Sequence, residues 1–241
     1  MLEKTRGIIL HQIKYTDSGI VSHIYTRKFG RKSFLIRGMR SRKTGRHNIL
    51  FQPLFILDLE LNYKSSHEMQ NLREFSVYFT PYEIYSNIKK SAVAIFLGEI
   101  LASVLKEESP HEEMFDYIEK SIIYFDNCEE GYANFHIAFL AGLSSFLGFE
   151  PGLRTSESDA FFDMQNGIFV PIPPVHGNYA KEEISSILAD FFASSYNAIS
   201  DITLTGKLRN DVLETLVRFY SLHLPGLKKI KSLEVLKTVF S

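Results

Sequence analysis

The chain has no tryptophan and a single cysteine, Cys128, in 241 residues. One cysteine excludes an intramolecular disulfide and any multi-cysteine metal site. No run of about 18 apolar residues occurs, and the opening Met1-Leu2-Glu3-Lys4 carries no apolar signal core, so neither a spanning helix nor secretion is expected. A cytosolic location follows as the expectation. The phosphate cradles of nucleotide enzymes are also missing: there is no Gly-x-x-x-x-Gly-Lys-Ser/Thr loop and no Gly-x-Gly-x-x-Gly loop. His111-Glu112 opens like a zinc-protease motif, but Phe115 stands where the second histidine belongs. Gly142-Leu143-Ser144 resembles half a nucleophile elbow, and Phe146 replaces its closing glycine. The eight histidines are scattered, none in a metal spacing. No catalytic residue, metal site or cofactor is expected.

One further absence is more telling. Between Ser18 and Leu57 there is no acidic residue, while the same stretch carries nine cations: Arg27, Lys28, Arg31, Lys32, Arg37, Arg40, Arg42, Lys43 and Arg46. Residues 1–80 hold 14 Lys/Arg against 6 Asp/Glu, a balance of +8; residues 81–241 hold 13 against 22, a balance of −9. The net charge of −1 hides this division. A basic module for a polyanion joined to an acidic body is the natural reading.

Periodicity supports the same division. Thr5–Tyr15, Gly19–Arg27 and Arg31–Gly38 are runs rich in β-branched and aromatic residues, separated by Asp17-Ser18-Gly19 and Phe29-Gly30. In a fourth run Phe55, Leu57, Leu59 and Leu61 alternate with Asp58 and Glu60, and Leu72–Phe79 makes a fifth. Five short strands suit an oligonucleotide-binding (OB) barrel, although an SH3-like barrel has the same pattern. From Pro81 the period becomes helical, with Ser91–Lys106, His111–Phe125, Glu130–Leu147, Lys181–Ala193, Lys207–His223 and Leu227–Phe240. Phe161–Val170 reads as a hairpin turning at Asn166-Gly167, inside a non-helical insertion at about 149–180. The expected fold is α+β: a five-stranded OB-fold β-barrel over 1–80, then an α-helical domain over 81–241 with a small β-hairpin insertion.

An OB barrel offers its second and third strands to ligand. Here these carry Val21, His23, Tyr25 and Arg27, then Lys32, Phe34 or Leu35, and Arg37; the pattern leaves the register of the third strand open by one residue. Tyr25 is read as a base-stacking residue, while for each aromatic taken singly a core position is favoured. The nine cations are expected to face solvent and phosphate. Arg37–His47 is expected to form a mobile arm that contributes affinity without base specificity. Tyr132, Phe135, Phe139 and Phe146 form an aromatic stripe read as core rather than as a docking groove. Lys228, Lys229 and Lys231, with Lys237, suggest a second basic surface on the last helix, or merely its wet face. Asp58 and Glu60 share one strand face and define the enzyme alternative, a metal-dependent nuclease. An RNA-binding barrel protein is the alternative within the binding class.

The order Tyr15-Thr16-Asp17-Ser18-Gly19-Ile20-Val21, Tyr25-Thr26-Arg27-Lys28-Phe29-Gly30-Arg31-Lys32-Ser33, Gly38 with its basic arm, and Phe51-Gln52-Pro53-Leu54 resembles the RecO family of recombination mediators. The likeness continues through Phe162-Asp163-Met164-Gln165-Asn166-Gly167 and Lys231-Ser232-Leu233-Glu234-Val235-Leu236. It is closest to versions from Bacteroidetes-like bacteria. The resemblance implies binding of single- and double-stranded DNA, annealing without ATP, and partnership with RecR and single-stranded-DNA-binding protein to load recombinase, in the cytoplasm at the nucleoid. Many members hold zinc through paired cysteines in the helical domain. Residues 149–180 contain none, and the hairpin, packed by Phe161, Phe162, Ile168 and Phe169, is expected to substitute.

Overall fold

A computed structural model describes residues 2–16, 19–37, 50–67, 69–105 and 109–240, with the side chains of Thr16, Arg37 and Asn197 set aside. The chain divides into two compact units, Met1–Asn127 and Cys128–Ser241. The change of period at Pro81 therefore falls inside the first unit, where helices accompany the barrel.

Five strands close that barrel: β1 (Leu2–Thr16), β2 (Gly19–Thr26), β3 (Gly30–Arg37), β4 (Ile56–Asn62) and β5 (Met69–Phe79), in the order β1-β2-β3-β5-β4. β1 is long enough to serve two neighbours, pairing β4 through Leu2–Ile8 and β2 through Gly7–Thr16. β2 and β3 form a hairpin whose turn needs Gly30 at φ 64°; the Thr26 hydroxyl secures it by donating to the Gly30 carbonyl at 2.8 Å. β3 meets β5 in a short parallel ladder, Ser33↔Met69 to Leu35↔Asn71. Ile9, Ile24, Phe34, Ile36, Leu57, Leu59 and Leu61 fill the interior. This settles the register of β3: Phe34 points inward and Leu35 lies on the opposite face, as period-2 pleating demands.

Among the described residues the first unit also has three helices: α1 (Tyr82–Ser86), α2 (Ile88–Val104) and α3 (Glu112–Asn127). Asn87 caps α2, its side chain accepting from the Lys89 and Lys90 amides. α2 lies close on β1 because Gly98 has no side chain: a Cβ there would stand 2.9 Å from the Leu10 carbonyl oxygen.

The second unit contains α4 (Phe135–Phe146), α5 (Glu182–Ala193), α6 (Gly206–His223), α7 (Ser232–Val239) and a small sheet of β6 (Phe161–Asp163), β7 (Ile168–Val170) and β8 (Tyr179–Ala180), ordered β7-β6-β8. The β6–β7 hairpin turns at Gly167, φ 68°, and β8 adds a strand that the sequence pattern did not reveal. Phe135 and Phe139 of the aromatic stripe are core. Phe162 packs on Phe169, Phe192 and Phe219, while Ile168, expected to help pack the hairpin, is exposed. Among the described residues no helix is long and apolar enough to cross a membrane.

Candidate nucleic-acid interface

The face of β2 and β3 that an OB barrel offers to ligand is largely covered within the first unit. Tyr25 is 1% exposed; its ring lies 5.9 Å from that of Phe115 on α3, and its hydroxyl donates to the His111 carbonyl at 3.3 Å. Burial drives its hydroxyl pKa well above 10. Tyr25 is thus a core residue with no open ring face for a base, and its sequence reading as a stacking residue is corrected. Arg31 is also drawn inward, donating to the carbonyls of Ala102 and Leu105 at 2.8 and 3.2 Å. Those oxygens belong to the negative end of α2, where a guanidinium is favoured. Burial lowers the Arg31 pKa, yet an arginine stays charged.

Lys32 departs furthest from expectation. It shares the inward face with Phe34 and Ile36 and is 5% exposed, its ammonium 6.0 Å from the centre of the Tyr63 ring. The expectation that all nine cations face solvent therefore fails at Lys32. On β3 the even-numbered positions Lys32, Phe34 and Ile36 share one face, and that face is turned into the barrel.

His11 and His23 stack beside this region, ring centres 4.4 Å apart, and the Ser33 hydroxyl sits 3.0 Å from His23 Nδ1. Burial first, and then the charges of His11 and Arg31, push the His23 pKa down to about 4; burial and Arg31 lower His11 as well.

Five cations gather elsewhere. Lys4, Arg6, Arg27, Lys28 and Lys120 line a cleft of about 890 Å³ between β1, β4, β5 and α3. Five acids line it too: Asp58, Glu60, Glu74, Asp116 and Glu119. Arg27 is bound by Asp116 at 2.9 Å and by Glu112 at 2.8 Å. Arg6 donates to Glu119 at 2.6 Å, lies 3.8 Å from Asp58, and stacks its guanidinium 3.5 Å from the centre of the Tyr78 ring. Lys28 reaches Glu3 at 3.7 Å. Arg6, Lys4 and Lys120 had not been singled out in the sequence; the pattern Lys4-x-Arg6, alternating on the strand β1, was the available signal.

Arg40, Arg42, Lys43, Arg46 and the side chain of Arg37 lie outside the described residues. Asp58 and Glu60, the nuclease pair, face cations: Arg6 for Asp58, Lys4 and Arg73 at 3.5 Å for Glu60. In the second unit, Lys228, Lys229 and Lys231 precede α7, so they form a basic loop and not a basic helix. Lys237, on α7, is taken by Glu214 and Glu234.

The insertion between α4 and α5 does not fit zinc. Asp163 is its buried carboxylate, and it accepts from the Gln165 and Asn166 amides at 2.9 and 3.1 Å, from the Asn166 side chain at 2.7 Å, and pairs with His176 at 3.3 Å. Burial opposes ionisation here, but the Asn166, Gln165 and His176 hydrogen bonds outweigh it and hold the Asp163 carboxyl below its ordinary value. A carboxylate so occupied, with one histidine and no thiolate, does not make a tetrahedral set.

Two family models cover the chain: Recombination protein O N terminal matches residues 1–80, and Recombination protein O C terminal matches residues 85–234. Among similar proteins, the DNA repair protein RecO of Phocaeicola vulgatus is 38% identical, covering 100% of both chains. That of Azobacteroides pseudotrichonymphae is 35% identical, again over 100% of both. The DNA repair protein RecO of Flavobacterium psychrophilum is 32% identical over 99% of each. With barrel, helical region and full-length similarity in agreement, the chain belongs to the RecO family of DNA repair proteins.

Proposed function

We propose that this protein binds single- and double-stranded DNA through its cationic barrel and basic arm, and anneals complementary strands without ATP. The observation that carries the reading is the +8 balance of residues 1–80 on a closed five-stranded barrel, in a chain similar to DNA repair proteins over its whole length. Lysines and arginines neutralise two phosphate backbones together and lower the repulsion between them. Residues 81–241 recruit RecR and single-stranded-DNA-binding protein so that recombinase is loaded, and the Lys228, Lys229 and Lys231 loop supplies a secondary basic surface. The mechanism is physical, with no catalytic residue and no metal. A cytoplasmic, nucleoid-associated location accompanies this role.

The test is annealing of labelled complementary strands without ATP, with and without the cognate single-strand-binding protein and RecR. Acceleration that persists on protein-coated strands supports the reading. If the barrel contacts about five phosphates, log affinity falls with log salt at a slope near −3.5. A flat salt response overturns it. Stronger binding to RNA of equal sequence moves the role to RNA, and fragments appearing with magnesium or manganese move it to a nuclease. The cation partners of Asp58 and Glu60 speak against the latter.

A further inference from the structure

Glu112, Asp116 and Glu119 stand four and three positions apart on α3 and so share one helix face. They meet two arginines of the barrel: Arg27 takes Glu112 and both oxygens of Asp116, and Arg6 takes Glu119. At a rise of about 1.5 Å per residue the three carboxylates span roughly 10 Å, a row of single negative charges set before cations. The Arg27–Asp116 contact is a two-pronged fork, the geometry in which a guanidinium also takes a phosphate. The Arg27 and Asp116 side chains remain 39% and 42% exposed, so water screens the pair and an incoming anion can reach it.

We propose that this cleft is a phosphodiester-backbone site that α3 masks in the free protein. Glu112, Asp116 and Glu119 hold the places of phosphates on Arg27 and Arg6, and a nucleic-acid strand displaces them. Lys4, Lys28 and Lys120, already at the cleft wall, extend the path on either side. In the free protein the lining is balanced, five cations against five acids, so weak or accidental polyanion contacts gain little there. A strand already bound by the protein is presented at high local concentration and makes the exchange. This inference rests on the DNA-binding reading above.

The experiment titrates the full chain with a fluorescent oligo-dT at several salt concentrations. E112Q/D116N/E119Q is expected to release Arg27 and to leave Arg6 with Asp58 alone, at 3.8 Å, steepening the log–log slope by up to about 1.4 and tightening binding about ten- to thirtyfold at 0.1 M salt. Because Glu119 is the most enclosed of the three, E112Q/D116N is measured too; it leaves the Arg6–Glu119 pair intact and is expected to give about half the change in slope. Neither substitution should help in an R6Q/R27Q background. A gain that persists without the arginines, or that equals the gain from E182Q/E183Q/D190N in the second unit, reflects net charge alone and overturns the proposal. A parent that binds with steep salt dependence while the acid variants match it sinks the masking alone. If the parent shows no salt-dependent binding, the DNA-binding reading fails with it.

Discussion

Arg27 and Asp116 meet through two hydrogen bonds, Nε to Oδ1 at 2.9 Å and Nη2 to Oδ2 at 3.2 Å, across 89 positions of chain. The first lies in the β2–β3 turn and the second on α3, so a barrel loop and a helix are tied by opposite charges. The guanidinium holds the Asp116 carboxyl below its usual range. The same contact takes one of the sequence's most prominent cations out of free circulation.

The basic arm is the cleanest place to test the DNA reading. Replacing Arg40, Arg42, Lys43 and Arg46 together by Ala is expected to leave the melting temperature nearly unchanged, since surface substitutions usually stay within about 0.5 kcal/mol each. Four lost phosphate contacts flatten the single-strand salt slope by about 2.8, equally for every sequence. Annealing falls further than binding because it needs two screened backbones. An arm variant that binds and anneals like its parent would place the DNA path elsewhere.

Tyr25 separates core from contact. Tyr25→Phe removes one 3.3 Å hydrogen bond to a backbone carbonyl and is expected to leave oligonucleotide affinity unchanged. Tyr25→Ala empties a buried aromatic site and costs about 3–5 kcal/mol of stability by denaturant titration. A large affinity loss in the folded Phe variant would contradict the burial of Tyr25.

Gly98 sets two effects against each other. Alanine in a helix interior gains about 1 kcal/mol over glycine. Its Cβ, however, would meet the Pro53 Cβ at 2.8 Å and the Leu10 carbonyl oxygen at 2.9 Å. Backbone cannot yield as a flexible side chain does, and overpacking of this kind costs about 1–3 kcal/mol. Gly98→Ala is therefore expected to lower the denaturation midpoint; a raised midpoint would show that α2 lifts off β1 freely.

His23 gives acid sensitivity a sign. Its folded pKa, about 4, lies below the ordinary 6.5, so the unfolded chain takes the proton first. The stability tied to this group is complete above about pH 6.5 and is lost as pH falls from there toward 4. His23→Gln removes that titration and should make stability flatter between pH 6.5 and 4.5 in urea unfolding. Parallel curves for parent and variant would refute the assignment.

The turn of the insertion is braced by Asp163. Asp163→Ala strands two backbone amides and the Asn166 side chain, costing about 2–4 kcal/mol. The parent should melt identically with and without EDTA. Because the folded Asp163 pKa is lowered, its contribution is present above the unfolded carboxylate pKa and disappears in acid as pH falls through the folded value. A chelator-induced shift of the melting curve would point to a metal set that the Asp163 network does not make.

Alternation and turn residues made the barrel legible, because one buried face imposes a period of two. Phe55, Leu57, Leu59 and Leu61 announced β4, and Asn166-Gly167 announced the hairpin. The charge pattern was legible only along the chain. Ser18–Leu57 lacks acids in sequence, yet folding brings Glu3, Glu112 and Asp116 against Arg27 and Lys28. Partners so distant in sequence leave no local trace. Lys32 was misread for a related reason: a cation inside a barrel is rare, and only the register of β3 reveals it.

The three-pair parallel ladder between β3 and β5 has a kinetic consequence. Every other junction in the barrel is antiparallel and at least six pairs long, and three of the four, β1–β2, β2–β3 and β4–β5, join strands consecutive in sequence. The β3–β5 contact joins segments more than thirty residues apart, and its loop-closure entropy is repaid by few hydrogen bonds. It should therefore close last during folding and open first in native-state hydrogen exchange. Amides of Ser33–Leu35 and Met69–Asn71 that take part in this ladder will exchange by a lower-energy opening than those of β1 and β4. The barrel thus has a seam, and it lies on β3.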